Sequence, residues 1–177
     1  MVGGASVSHT VTIDVKFKNQ EAAVKVAELM NATVLGEGTH RLYASSHTGL
    51  GIKFPRWQYP VVIDKDGKVF YDNYNGAWGS ASDMETFQEK YAMEVIKAEC
   101  EQLGWYSEAQ PNGELIVHHP GGGTITVQKG GTLDASGFVG NECEHATERF
   151  EQALGTKLGS ALKPYLNEVQ INQGQQS

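Results

Sequence analysis

The chain of 177 residues is 40% hydrophobic and carries a formal net charge of −7, from 14 Lys and Arg against 21 Asp and Glu. That length buries a core without disulfide or metal support, and the composition excludes both a disordered chain and a membrane-embedded one. An acidic field repels phosphate backbones and the basic residues are scattered, so nucleic acid is not an expected partner. No apolar run approaches the roughly 20 residues that cross a bilayer, so no membrane association is expected. Cys100 and Cys143 are too few for a disulfide scaffold and fit a reducing compartment. Met1 to Val7 lacks the basic start and long apolar segment of a signal peptide, and Gly3 stands one place too late for myristoylation. A cytoplasmic location is the expectation.

In chain order, His9 to Phe17 alternates, with Val11, Ile13, Val15 and Phe17 on one face, which predicts a half-buried strand. Asn19 then caps a helix through Met30, whose stripe is Ala22, Val26, Leu29 and Met30. Short β-prone pieces follow at Arg41 to Ala44 and Leu50 to Phe54. Pro60 to Asp64 and Val69 to Tyr71 flank Lys65-Asp66-Gly67-Lys68, where Asp-Gly marks a hairpin. Ser82 and Glu85 read as a capping box for a helix running to Leu103 and stopped by Gly104, with Phe87, Tyr91, Val95 and Ala98 facing the core and Ala92 and Ile96 widening the stripe. Trp105 to Ala109 and Glu114 to His118 flank Asn112-Gly113, a second hairpin.

Pro120-Gly121-Gly122-Gly123 breaks the chain and reads as a linker. Beyond it Thr124 to Gln128 and Thr132 to Phe138 make a third hairpin. A last helix starts after Asn141, with Cys143, Ala146, Phe150, Ala153 and Leu154 on its apolar side. Lys157 to Glu168 adds a short helix or strand. The predicted fold is α+β: an antiparallel sheet built from hairpins with two main helices on one face, followed by a small ββα unit. The corresponding division is an αβ domain over 8–119, the linker 120–123 and the ββα unit over 124–168. Residues 1–7 and 169–177 are expected to be loose termini.

Asp72-Asn73-Tyr74-Asn75-Gly76-Ala77-Trp78-Gly79 is the most pointed feature. Gly, Asn and Asp build tight turns, but turn chemistry has no need of Tyr74 and Trp78. With Arg56, Trp57 and Tyr59, one hairpin earlier, these residues suggest an aromatic and amide rim. Its rings would stack on a partner, Asp72, Asn73 and Asn75 would supply polar contacts, and Arg56 would meet an anion. The competing reading buries the aromatics and leaves the polar groups tying off the turn.

Ser8-His9-Thr10-Val11-Thr12, Trp57-Gln58-Tyr59-Pro60-Val61-Val62 and the Tyr71 to Gly79 run together resemble domain-of-unknown-function family 1257 over about residues 8 to 119. That family includes a conserved hypothetical chloroplast and cyanobacterial reading frame and has phage relatives. Gly137-Phe138-Val139-Gly140-Asn141-Glu142-Cys143 with Leu154-Gly155 resembles domain-of-unknown-function family 2997. The pairing implies genomic neighbours of AAA-type ATPase and small ferredoxin kinds. It brings no catalytic residue and no cofactor.

Other chemistry is thinner. His118 and His119 are adjacent and point to opposite faces in a strand, and Cys143 and His145 diverge by about 200° on a helix, so no metal site is expected. Cys143, in a first helical turn, is the one redox candidate, against a plain buried role. Ser45-Ser46-His47 has no spaced acid, and no nucleophile elbow or phosphate loop is present. The expectation is a non-enzymatic adaptor or accessory protein that recognises a protein partner, an AAA-type ATPase by the resemblance, through the Asp72 to Trp78 loop. The acidic face of the Ser82 to Leu103 helix is a further surface for it. Binding of a nucleotide-like small molecule at the same rim and a redox-linked role of Cys143 are the alternatives. An unpaired sheet edge would further allow a homodimer.

Overall fold

The computed structural model describes residues 9–13, 16–128, 132–138, 142–154 and 158–159. They form two compact units, one of residues 16–91 and the other of 9–13 with 92–154 and 158–159. Both are α+β with wholly antiparallel sheets. The expected loose termini 1–7 and 169–177 lie outside the described residues.

The 16–91 unit opens with α1 (Gln20–Leu29), capped by Asn19, whose Oδ1 accepts the Ala22 N–H at 3.0 Å. Its buried face is Ala22, Ala23, Val26 and Ala27. Leu29, expected on that stripe, is 64% exposed because the small-residue face turns toward the sheet and carries Leu29 away from it. β2 (Thr33–Arg41) and β3 (Ser46–Lys53) follow as a long hairpin, and β4 (Val61–Ile63) and β5 (Val69–Phe70) complete a sheet ordered β2-β3-β4-β5. The first strand is β1 (His9–Ile13), which belongs to the other unit. Of the strand predicted over Arg41 to Ala44, Arg41 ends β2 and the rest is the β2–β3 turn, closed by the Leu42 N–H on the Ser45 carbonyl at 2.7 Å. The β4–β5 turn forms as its Asp-Gly signal requires. Asp64 Oδ1 accepts the Asp66 and Lys68 N–H groups, each at 2.9 Å, and Gly67 takes the left-handed φ of 84°.

The long helix α2 (Ala81–Leu103) runs from this unit into the next, the division falling at Tyr91 and Ala92. It starts earlier than the capping box predicts. Ser82 lies inside the first turn, and the Oγ of Ser80, before the helix, accepts the Ser82 N–H at 3.2 Å. Within the 16–91 unit Met84, Phe87 and Tyr91 are buried. Phe17 is buried there too, stacked on Phe87 at 5.1 Å and tilted against Tyr91 at 4.5 Å. Its expected place at the end of the first strand is therefore corrected, since β1 ends at Ile13 and Phe17 joins a different core. The Tyr91 hydroxyl secures this region by accepting the Asn19 N–H at 3.0 Å.

The second unit is a six-stranded sheet ordered β10-β1-β9-β8-β7-β6, from β6 (Tyr106–Ala109), β7 (Leu115–His118), β8 (Thr124–Val127), β9 (Thr132–Ser136) and β10 (Leu158–Gly159), with α3 (Glu142–Leu154). Asn112 Oδ1 accepts the Glu114 N–H at 3.0 Å and fixes the β6–β7 turn. The 120–123 segment is the turn of a hairpin: β7 pairs with β8 from His118↔Thr124 to Leu115↔Val127. The linker expected over 120–123 is corrected, because Pro and three glycines signal a break and a tight turn needs the same residues. β1 inserts between β9 and β10, so a strand from the start of the chain is built into the sheet formed by strands that follow α2. Val95, Ile96 and Cys100 of α2 are buried, whereas Ala98 is exposed. On α3, Ala146, Phe150 and Leu154 are buried as the periodicity predicts.

Candidate functional site

The 72–79 loop closes itself through local bonds. Asp72 Oδ1 accepts the Tyr74 N–H at 3.1 Å, and the Asn73 carbonyl accepts the N–H groups of Gly76 at 3.0 Å and Trp78 at 2.9 Å. A single 3-10 turn (Tyr74–Gly76) results. Tyr74, Asn75 and Gly76 all hold left-handed backbone, with φ of 45°, 53° and 96°. For the two non-glycine residues this costs on the order of 1–2 kcal/mol each. The turn therefore spends stability to hold Tyr74 where it is. Asn73 caps the turn with its backbone alone; its side chain makes no capping bond. Asn75 is exposed.

The 55–59 segment meets this loop. The Gln58 N–H donates to the Trp78 carbonyl at 2.7 Å, and the Tyr59 and Trp78 rings lie 5.4 Å apart, edge to face. Arg56 is exposed in the same turn with a left-handed φ of 67°.

Trp57 points the other way. It is 2% exposed, its Nε1–H donates to Asp83 Oδ2 at 2.9 Å, and it lies against Phe54 at 5.6 Å and Tyr71 at 5.7 Å. The expectation that Trp57 contributes to a surface rim is corrected. Its indole nitrogen has a buried-side partner in α2, and the apolar ring completes the core. Gly79 shows how close the fit is: a Cβ there would lie 2.3 Å from the Trp57 ring.

What stands at the surface is a four-ring cluster centred on Trp78. Tyr74 stacks on it at 4.7 Å with 23° between planes, Tyr43 is tilted against it at 4.9 Å, and Tyr59 meets it on edge. Tyr43 is 58% and Tyr74 59% exposed, while Trp78 and Tyr59 are half-buried. Each such pair contributes about 0.5–1.5 kcal/mol beyond its buried area, so the cluster holds its shape in water. Sequence reading missed Tyr43. It sits in the β2–β3 turn, far along the chain from the loop, and the one available signal was an aromatic flanked by residues that read as a strand.

A cleft of about 340 Å³ adjoins the cluster along the chain, lined by Leu42, Ala44, Ser45, His47, Phe70, Tyr71 and Asp72. Leu42 and Ala44 flank Tyr43 in the chain, and Asp72 begins the Tyr74 loop. His47 stacks on Phe70 at 4.1 Å, Lys68 Nζ stands 5.3 Å from the centre of the same ring, and Ser45 Oγ and His47 Nε2 are 3.0 Å apart. The fold thus brings Asp72 to the cleft that holds Ser45 and His47, but its Oδ1 is engaged by Tyr74. Burial pushes the Tyr71 hydroxyl up to about 12, keeping it a neutral group at the cleft wall.

The cysteines divide. Cys100 is buried, and burial, reinforced by Glu99 and Glu101, pushes its thiol up to about 11. Cys143 lies in the first turn of α3, and its side chain is outside those described. Among the described residues no three His, Cys, Asp or Glu side chains gather as a metal site. His118 and His119 separate as expected. His118 lies against Tyr106 at 5.3 Å, and His119 against Trp105 at 4.8 Å, with its Nδ1 accepting the Gly121 N–H. No helix among the described residues is long and apolar enough to cross a membrane.

An α+β protein with an aromatic surface cluster beside a partly apolar cleft is the class that the fold and the site define. Residues 125–165, the segment containing β9 and α3, match a family described as a protein of unknown function (DUF2997). No curated protein and no solved structure matches the chain.

Proposed function

We propose that the protein is a non-enzymatic adaptor that recognises a protein partner through the Trp78 ring cluster. The observation that carries this reading is the placement of Tyr43, Tyr59 and Tyr74 around Trp78, with two of the rings more than half exposed. Tyr and Trp dominate the energetic centres of protein interfaces, because they offer large rigid contact area at low entropic cost. Three consecutive left-handed residues hold Tyr74 outward at the expense of stability, and such strain concentrates where a surface is used. The resemblance of residues 8 to 119 to family 1257 rests on their motifs alone, and with it come an AAA-type ATPase as the partner and a cyanobacterial or phage context; the expectation of a cytoplasmic setting comes instead from the Met1 to Val7 segment and the two cysteines. Arg56, Asp72, Asn73 and Asn75 supply polar contacts at the edge of the same surface.

Affinity purification from the source organism tests the proposal. The wild-type chain is expected to retain a partner that Trp78→Ala loses while still folded by circular dichroism at the purification temperature, even though the variant gives up the three ring contacts of Trp78. Equal recovery with both proteins refutes it.

A second reading is favoured by the cleft. Its volume, its apolar walls and its few polar groups suit a small flat ligand, of which a nucleotide-like molecule is one kind. Native mass spectrometry of protein taken from its own source reads this directly, as an added mass that an Ala44→Trp variant, with a large ring at an exposed lining position, does not carry. A redox role of Cys143 is the third reading, and Cys143→Ser leaving every activity intact excludes it.

A further inference from the structure

We propose that the protein self-associates through the outer edge of β2, two copies pairing their Glu37–Arg41 segments antiparallel about Thr39. In the order β2-β3-β4-β5, the outer side of β2 has no strand beside it among the described residues. Half of the backbone N–H and C=O groups of an edge strand point outward and must bond water or another chain. The opposite edge, β5, has only two residues, whereas β2 has nine.

The register of β2 fixes where pairing can occur. A bulge interrupts it between Val34 and Gly36, bending the strand and ending regular geometry on that side. On the other side the turn begins at Leu42. Gly36 pairs with Gly51 but holds a left-handed φ of 87°, so regular strand geometry with unbroken register to β3 covers Glu37, Gly38, Thr39, His40 and Arg41, of which Glu37, Thr39 and Arg41 are exposed.

Residues that face each other across two antiparallel strands share one side of the sheet, so a two-fold axis must pass through a residue. Centred on Thr39, the midpoint of the regular stretch, all five residues pair. Glu37 then faces Arg41 of the second copy, and symmetry repeats that ion pair. On the other side His40 falls opposite Gly38 of the second copy, its ring folded back over its own sheet with Nε2 2.9 Å from the Gly36 carbonyl oxygen. An axis through Glu37 sets like charges against each other, and an axis through Gly38 or His40 leaves Glu37 and Arg41 unmatched. Only the centre that gives the longest ladder also matches the charges. Gln20 Nε2 already holds one oxygen of Glu37 at 3.0 Å, orienting the carboxylate and leaving its other oxygen for the arginine.

Sedimentation velocity of the full chain over a concentration series tests the proposal. The wild-type protein is expected to shift from monomer to dimer with rising concentration. Glu37→Arg and Arg41→Glu each set like charges opposite one another twice, and are expected to weaken the dimer by about tenfold or more. Glu37→Arg with Arg41→Glu restores it, because the pairs re-form with signs exchanged. Circular dichroism checks that all variants fold. A wild-type chain that stays monomeric at its highest soluble concentration overturns the proposal. So do folded single variants that dimerise as well as wild type, and a folded double variant that does not recover. A dimer that disappears on Trp78→Ala alone also overturns it, by placing the contact at the ring cluster.

Discussion

Gly79→Ala is expected to destabilise the 16–91 unit by about 3 kcal/mol, the upper part of the range for overpacked cores. The new Cβ would fall 2.3 Å from Cδ2, 2.5 Å from Cε2 and 2.6 Å from Cε3 of Trp57. Ordinary carbon contacts lie at about 3.5–4.0 Å, so ring or backbone must move by roughly 1 Å. The ring has nowhere to go: Asp83 holds its nitrogen at 2.9 Å, and Phe54 and Tyr71 pack against it. The backbone on the other side is that of Trp78, tied by its carbonyl to Gln58. Urea unfolding followed by tryptophan fluorescence measures the loss. Trp57→Phe removes part of the offending ring, so the double variant should lose less than the two single variants summed. Gly79→Ala within about 0.5 kcal/mol of wild type, the scatter of neutral surface changes, refutes the reasoning.

Further outcomes follow from the same contacts. Asn19→Ala removes the α1 cap and should cost about 1 kcal/mol, read as a lower urea midpoint with an unchanged slope. Tyr71 should ionise only above the ordinary tyrosine value, which ultraviolet difference titration of wild type against Tyr71→Phe detects. Its folded pKa, about 12, lies above the ordinary 10.0, so the stability linked to it is complete below pH 10 and is lost as pH rises toward 12. Cys100, raised from 9.0 to about 11, should resist maleimide at neutral pH in the folded chain and react once unfolded, as peptide mapping would show. Tyr43→Ala should weaken partner retention and cost about 1–3 kcal/mol of stability, since its ring contacts with Trp78 and Tyr59 are both lost.

Local chemistry was readable in the sequence wherever a few neighbouring residues decide the outcome. Asn19 caps, Asp64 to Lys68 and Asn112-Gly113 turn, and the α3 face buries Ala146, Phe150 and Leu154 because caps, turns and periodicity act over short distances. β2 was invisible: Gly36, Gly38, Glu37 and His40 carry no β-signal, and the strand exists because β3 supplies its ladder. Long-range pairing also decided the place of β1 and the fate of Phe17, which a single alternating pattern had joined. At the site, Trp57 and Trp78 look alike in sequence. Asp83 draws the first indole inward and Gly79 leaves room for it, while three tyrosines from three separate segments gather on the second. Tyr43 had to be found in three dimensions.

Site-specific photo-crosslinking from position 74 tests the adaptor reading most directly. A photoreactive phenylalanine analogue replaces Tyr74 in the source organism, and the same analogue at Tyr106, which is 63% exposed and lies in the other unit, is the control. One protein joined at position 74, absent from the control and lost when Trp78→Ala is added, is the expected result. Identical adducts from both positions, or none from position 74, contradict it.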